Sequence, residues 1–118
     1  MEKVIWVIGS ERKEMLEAQR RINSTGSMRA LCLLSFSAVQ RAVETQNAEG
    51  LSRISSPSLI IMDYQTAVEE DFLSISYLKK QQAFAGVPLF FMTEERNQEL
   101  DEKCFARGAM VVLLKPFS

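Results

Sequence analysis

Three short apolar runs each close on a residue able to do chemistry: Leu59-Ile60-Ile61-Met62 on Asp63, Leu89-Phe90-Phe91-Met92 on Thr93, and Val111-Val112-Leu113-Leu114 on Lys115. Runs of this length read as strands buried on both faces. In an open parallel sheet, chemistry collects at the carboxyl ends of the strands. Neighbouring strands lie about 4.8 Å apart, so a carboxylate, a hydroxyl and an ammonium at three consecutive strand ends can converge on one pocket. Such a set suits phosphoryl chemistry. The carboxylate accepts the group as a nucleophile, while the hydroxyl and the ammonium bind its oxygens. Each residue also has a plainer use: Asp63 or Thr93 capping the next helix, Lys115 pairing with a carboxylate.

The elements that must position these ends are legible along the chain. Val4-Ile5-Trp6-Val7-Ile8 is a β-branched, continuously apolar strand broken by Gly9-Ser10. Ser10 is placed to cap a helix carrying Glu11 and Glu14 in its first turn, with Met15, Ala18 and Ile22 as its buried stripe. Gly26 stops it. Ala30–Leu34 is the second strand. Ser37 and Gln40 have capping-box spacing, and Ala38, Ala42 and Val43 mark a helical face. Gly50 is expected to interrupt that helix, with Leu51 and Ile54 adding one apolar turn. After the Asp63 strand, Val68, Phe72, Ile75 and Leu78 recur at helical spacing up to Gly86. Pro88 opens the fourth strand, where proline is tolerated. Leu100, Cys104 and Phe105 mark a helix stopped by Gly108, and Met110–Leu114 is the fifth strand. Strands alternate with helices and no hairpin signal joins two strands, which predicts an α/β fold with a parallel sheet covered on both faces.

Composition narrows the function class. The chain has 118 residues, 47% hydrophobic and 25% charged, with a net charge of −1. That is one ordinary globular domain with enough apolar material for a core. Neither sign of charge clusters enough for a nucleic-acid or membrane footprint, and no apolar run approaches a membrane span. The N-terminus carries no signal-peptide pattern. Cys32 and Cys104, the only cysteines, lie in apolar patterns and read as buried thiols of a reducing, cytoplasmic compartment. The absence of histidine removes His-based triads and His-rich zinc sites.

On these residues the chain resembles the receiver domains of bacterial response regulators. The resemblance rests on Leu59-Ile60-Ile61-Met62-Asp63, Phe90-Phe91-Met92-Thr93, Gly108-Ala109 and Leu114-Lys115-Pro116-Phe117. The separations also match, with 30 residues from Asp63 to Thr93 and 22 from Thr93 to Lys115. It implies a flavodoxin-like three-layer sandwich with strand order 2-1-3-4-5, for which a receiver protein is a standing example. It implies Asp63 as phosphoacceptor, Lys115 as phosphoryl contact, Thr93 as switch residue, and a cis peptide bond before Pro116. It further implies Mg²⁺ held by Asp63, the Gln65 carbonyl and an acidic pair after the first strand.

The sequence departs from that pattern in four places. Ile8, Gly9 and Ser10 stand where the acidic pair belongs, with Glu11 the nearest acid and a candidate substitute ligand. Tyr64 through Asp71 replaces the usual Met-Pro and Asp-Gly loop. Val112 takes the place of the switch aromatic, and the final helix of the family is absent from the chain. Mg²⁺ binding is therefore expected to be weak and phosphorylation of Asp63 slow or absent. The expected organisation is one receiver domain over residues 1–118, the N-terminal part of a longer protein or a self-associating one. Its partners would be a histidine kinase or phosphotransfer protein and an output domain or partner protein, and it is not expected to be an enzyme. A competing reading is a pseudo-receiver, an interaction module that works without phosphorylation. A small nucleotide- or flavin-binding enzyme is opposed by the single glycine of Val7-Ile8-Gly9-Ser10, where a G-x-G-x-x-G turn is required.

Overall fold

A computed structural model describes residues 3–49 and 57–115. The expectations for Gly50, Leu51 and Ile54, and for the chain from Pro116 onward with its cis peptide bond and missing last helix, lie outside the described residues. The described elements are β1 (Lys3–Ile8), α1 (Arg12–Asn23), β2 (Met28–Leu33), α2 (Phe36–Glu49), β3 (Leu59–Asp63), α3 (Tyr64–Glu69), α4 (Leu73–Lys79), β4 (Leu89–Thr93), α5 (Gln98–Ala106) and β5 (Val111–Leu114). All strand pairs are parallel and the sheet order is β2-β1-β3-β4-β5. The parallel sheet is what the alternating pattern predicts, and the order is the flavodoxin-like one that the resemblance implies. Among the described residues no helix is long and apolar enough to cross a membrane.

The pleat sends alternate residues to opposite faces. Trp6, Ile8, Ile60, Met62, Phe91 and Val112 point to one face, where α2, α3, α4 and α5 bring Val39, Val43, Ala67, Ile75, Leu78 and Cys104. Trp6 is wholly buried there, its ring 5.0 Å from that of Phe84. Ile5, Val7, Ile61 and Met92 point to the other face, where α1 brings Met15, Ala18 and Ile22. The stripe spaced three then four on α1 is thus the one that packs. Towards β5 this second face is thinner, and Leu59, Phe90 and Leu113 stay half-buried.

Local departures from the sequence reading have specific causes. Glu11, not Ser10, is the N-cap of α1, its carboxylate accepting from the Lys13 N–H at 3.3 Å. Ser35, not Ser37, caps α2 by accepting from the Ala38 N–H at 3.1 Å. The helical spacing of Val68, Phe72, Ile75 and Leu78 spans two helices rather than one. Asp71 and Phe72 take left-handed backbone (φ 56° and 58°) and turn the chain between α3 and α4. Glu70 holds the corner by accepting from the Ser74 N–H at 2.6 Å and from its hydroxyl at 2.9 Å. The corner seats Phe72 edge-on to Tyr64 and Phe91 and under the Arg107 guanidinium, and it leaves Val68 exposed.

Candidate functional site

Register sets the geometry of the carboxyl edge. Asp63 pairs with Met92 and Thr93 with Leu114, so the ends of β3, β4 and β5 are staggered by one residue each. The Asp63, Thr93 and Lys115 side chains therefore line one cleft of about 400 Å³, together with Tyr64, Gln65, Glu94, Glu95 and Leu100. A second opening of about 470 Å³ shares Asp63, Gln65, Glu94 and Lys115 and extends over Ser10, Glu11, Glu14 and Glu69.

Asp63 is 4% exposed, and its two oxygens have different surroundings. Oδ2 accepts from the Thr66 N–H at 3.0 Å and from the Thr66 hydroxyl at 2.7 Å, which makes Asp63 the N-cap of α3. Thr66 spends its single proton on that carboxylate, so its Oγ1 can only accept from elsewhere. It accepts the Ser10 N–H at 3.0 Å and, by the same logic, the Ser10 hydroxyl at 3.1 Å. A hydroxyl relay thus joins the β1–α1 loop to the carboxylate. Oδ1 accepts no aligned hydrogen bond among the described residues; its polar contact is the Lys115 ammonium at 2.6 Å.

Lys115 has a second partner. Its Nζ lies 3.1 Å from Glu14 Oε1 and 2.9 Å from Oε2. Burial of Lys115 disfavours its charged form, but contact with Asp63 and then with Glu14 outweighs this, and its pKa lies above the ordinary lysine value. The Lys115 N–H also donates to the Thr93 carbonyl at 2.8 Å, which extends the sheet by one bond and fixes the base of the side chain. Thr93 is buried at the cleft wall. It does not cap the following helix, which Asn97 does.

Glu14 and Thr66 are the site residues that sequence reasoning missed. The Asp63-x-x-Thr66 spacing is a helix N-terminus signal, and Glu14 sits one turn beyond Glu11 on the same face. Glu11 lines the cleft, but its carboxylate folds back onto its own helix.

Few donors stand where the resemblance implies Mg²⁺: Asp63 and Gln65 line the cleft, and Glu11 lines the adjoining opening. That ion takes near-octahedral oxygen ligation, and among the described residues no three His, Cys, Asp or Glu side chains group to hold a metal. Asp63 is engaged through both oxygens. Gln65 lies in the first turn of α3, where a helical carbonyl points along the axis towards the C-terminal end and away from Asp63. Gly9 contributes no ligand, and a Cβ there would come within 2.6 Å of Met15 Cε and 3.1 Å of Asp63 Cβ.

No family model and no curated protein sequence matches the chain. Solved structures do. The chemotaxis protein CheY4 of Vibrio cholerae superposes with a TM-score of 0.79 at 17% identity, over 100% of this chain and 90% of that one. A response regulator receiver protein from Burkholderia phymatum gives 0.76 at 21% identity, over 99% and 86%. The receiver domain of the sensor histidine kinase PA1611 from Pseudomonas aeruginosa, with magnesium in its active-site cleft, gives 0.75 at 18% identity, over 100% and 88%.

Proposed function

The chain has the receiver-domain fold, and from that premise we propose that it is a signalling module whose Asp63 accepts a phosphoryl group. The observation that supports this best is the convergence of Asp63, Thr93 and Lys115 on one cleft. Oδ1 is the oxygen free of aligned hydrogen bonds, so it is the nucleophile. It attacks the phosphorus of a phosphohistidine on a histidine kinase or phosphotransfer protein. The P–O bond forms as the P–N bond breaks, and the electron pair leaves with the imidazole. Oδ2 stays on Thr66 and keeps the carboxyl group oriented. Lys115 neutralises charge on the transferred group, and the Thr93 hydroxyl serves as a neutral donor to it. The acyl phosphate then alters the surface offered to an output domain or partner protein.

The reading is tested by intact-mass analysis after incubation with acetyl phosphate and millimolar Mg²⁺. Slow addition of one phosphoryl group, lost in Asp63→Asn, is the expected result. A second reading, a pseudo-receiver that binds its partner without phosphorylation, is favoured by the poor donor set for Mg²⁺. An unlabelled wild type, with Asp63→Asn still able to bind its partner, would select that reading.

A further inference from the structure

We propose that Glu14 keeps the phosphoryl site closed: its carboxylate holds the Lys115 protons that the oxygens of an incoming phosphoryl group need, and transfer to Asp63 requires Glu14 to leave. The proposal rests on the reading of Asp63 as phosphoacceptor. An ammonium has three protons and no more. Here Nζ faces three oxygens, Asp63 Oδ1 at 2.6 Å and the two of Glu14 at 3.1 and 2.9 Å. The aligned hydrogen bond among these goes to Glu14 Oε1 and not to Asp63 Oδ1, so Glu14 occupies a donor that a phosphoryl oxygen would need.

The two carboxylates are not equally able to yield. Asp63 is nearly fully buried and caps α3 with its other oxygen. Glu14 is bound only through Lys115 among the contacts described, and its side chain is 35% exposed. Its neighbour Met15 anchors α1 in the core, so Glu14 can rotate into water without moving the helix. Charge drives the same way. A transferred phosphoryl group carries about two negative charges, which repel a carboxylate lodged on the same ammonium. Phosphorylation would therefore show itself on the first turn of α1, as a freed glutamate.

The experiment compares acetyl-phosphate labelling rates of the full chain, read by intact mass, for wild type, Glu14→Gln, Glu14→Ala and Glu17→Gln. Asp63 Oδ1 attacks phosphorus and acetate leaves with the electron pair, so no further reactant is needed. Glu17 lies on the same helix and pairs instead with Arg21 at 3.5 Å; its substitution removes equal charge without touching Lys115. Both Glu14 variants are expected to label about tenfold faster than wild type, as when a competent fraction near a tenth becomes the whole population. Glu17→Gln should label at the wild-type rate, and the gain should lie in the rate at sub-saturating acetyl phosphate, because a closed fraction lowers the apparent affinity. Equal labelling of wild type and both Glu14 variants overturns the proposal and leaves Asp63 as phosphoacceptor. Slower labelling of the Glu14 variants also overturns it. No labelling of any variant overturns both readings. Thermal melts of the four proteins identify any variant that has not folded, and the other Glu14 substitution then decides.

Discussion

Two buried regions lie within a few residues of each other along the strands and are built on opposite principles. Beneath α2 to α5 the sheet is closed by Trp6, Phe91, Met62, Val39 and Val43, side chains that pack by shape, with the buried Trp6 indole N–H as their one polar group. At the carboxyl edge, the same strands end in a carboxylate, a hydroxyl and an ammonium held by Thr66, Ser10 and Glu14. Apolar burial stabilises by about 25 cal/mol per Å² removed from water. A buried ion pair roughly cancels against its desolvation, so well-packed apolar replacements are often as stable. The first region makes the fold. The second is expected to add little to it, which fits a use at the cleft.

The largest effect should come from breaking the apolar side. Trp6→Ala opens a cavity against Phe84 and should cost about 3–5 kcal/mol, read as a fall in the denaturant midpoint. Next comes Lys115→Met, which leaves Asp63 buried without its cation and should cost about 3 kcal/mol. The double variant Lys115→Met with Asp63→Asn should recover most of that loss. If the double variant is no more stable than Lys115→Met, the ion cluster is structural and the contrast between the regions collapses. Thr66→Val keeps the shape but leaves Asp63 Oδ2 with the backbone N–H alone, at about 1–2 kcal/mol.

The smallest effect concerns pH. A Lys115 pKa raised in the folded state contributes stability that is full below the unfolded lysine value of about 10.4. That contribution is lost as pH rises through the higher folded value. The stability difference between wild type and Lys115→Met should therefore hold through neutral pH and shrink above about pH 10.4. A difference that shrinks between pH 5 and 8 would contradict the assignment.

The strands were legible because fully buried parallel strands must be apolar throughout, and five such runs alternate with helical periods; their order came from the family resemblance and not from the pattern. Asp63, Thr93 and Lys115 were legible by position alone, as the polar residues that end three of those runs. Glu14 was not, because an acid in a first helical turn is ordinary. Its role depends on how α1 lies against the end of β5, a relation between residues 101 apart in the chain. The break at Phe72 was hidden for a different reason. The apolar period survives the left-handed corner intact, and although aspartate is enriched at positive φ, Phe72 is not a residue that announces it.

Gly9 has a consequence for the history open to this chain. It stands level with Asp63, since the residue before it pairs with Met62, and the space a side chain would enter is taken by the end of Met15. Met15 is itself 1% exposed and packs in the core beneath α1. A carboxylate at position 9 therefore requires the flexible end of Met15 to move aside. It would also set a second negative charge beside Asp63, where Lys115 is already shared with Glu14. A smaller residue at 15 would make room for an acid at 9, and it would weaken the core beneath α1. Shape and charge at this corner together act against an acid at position 9.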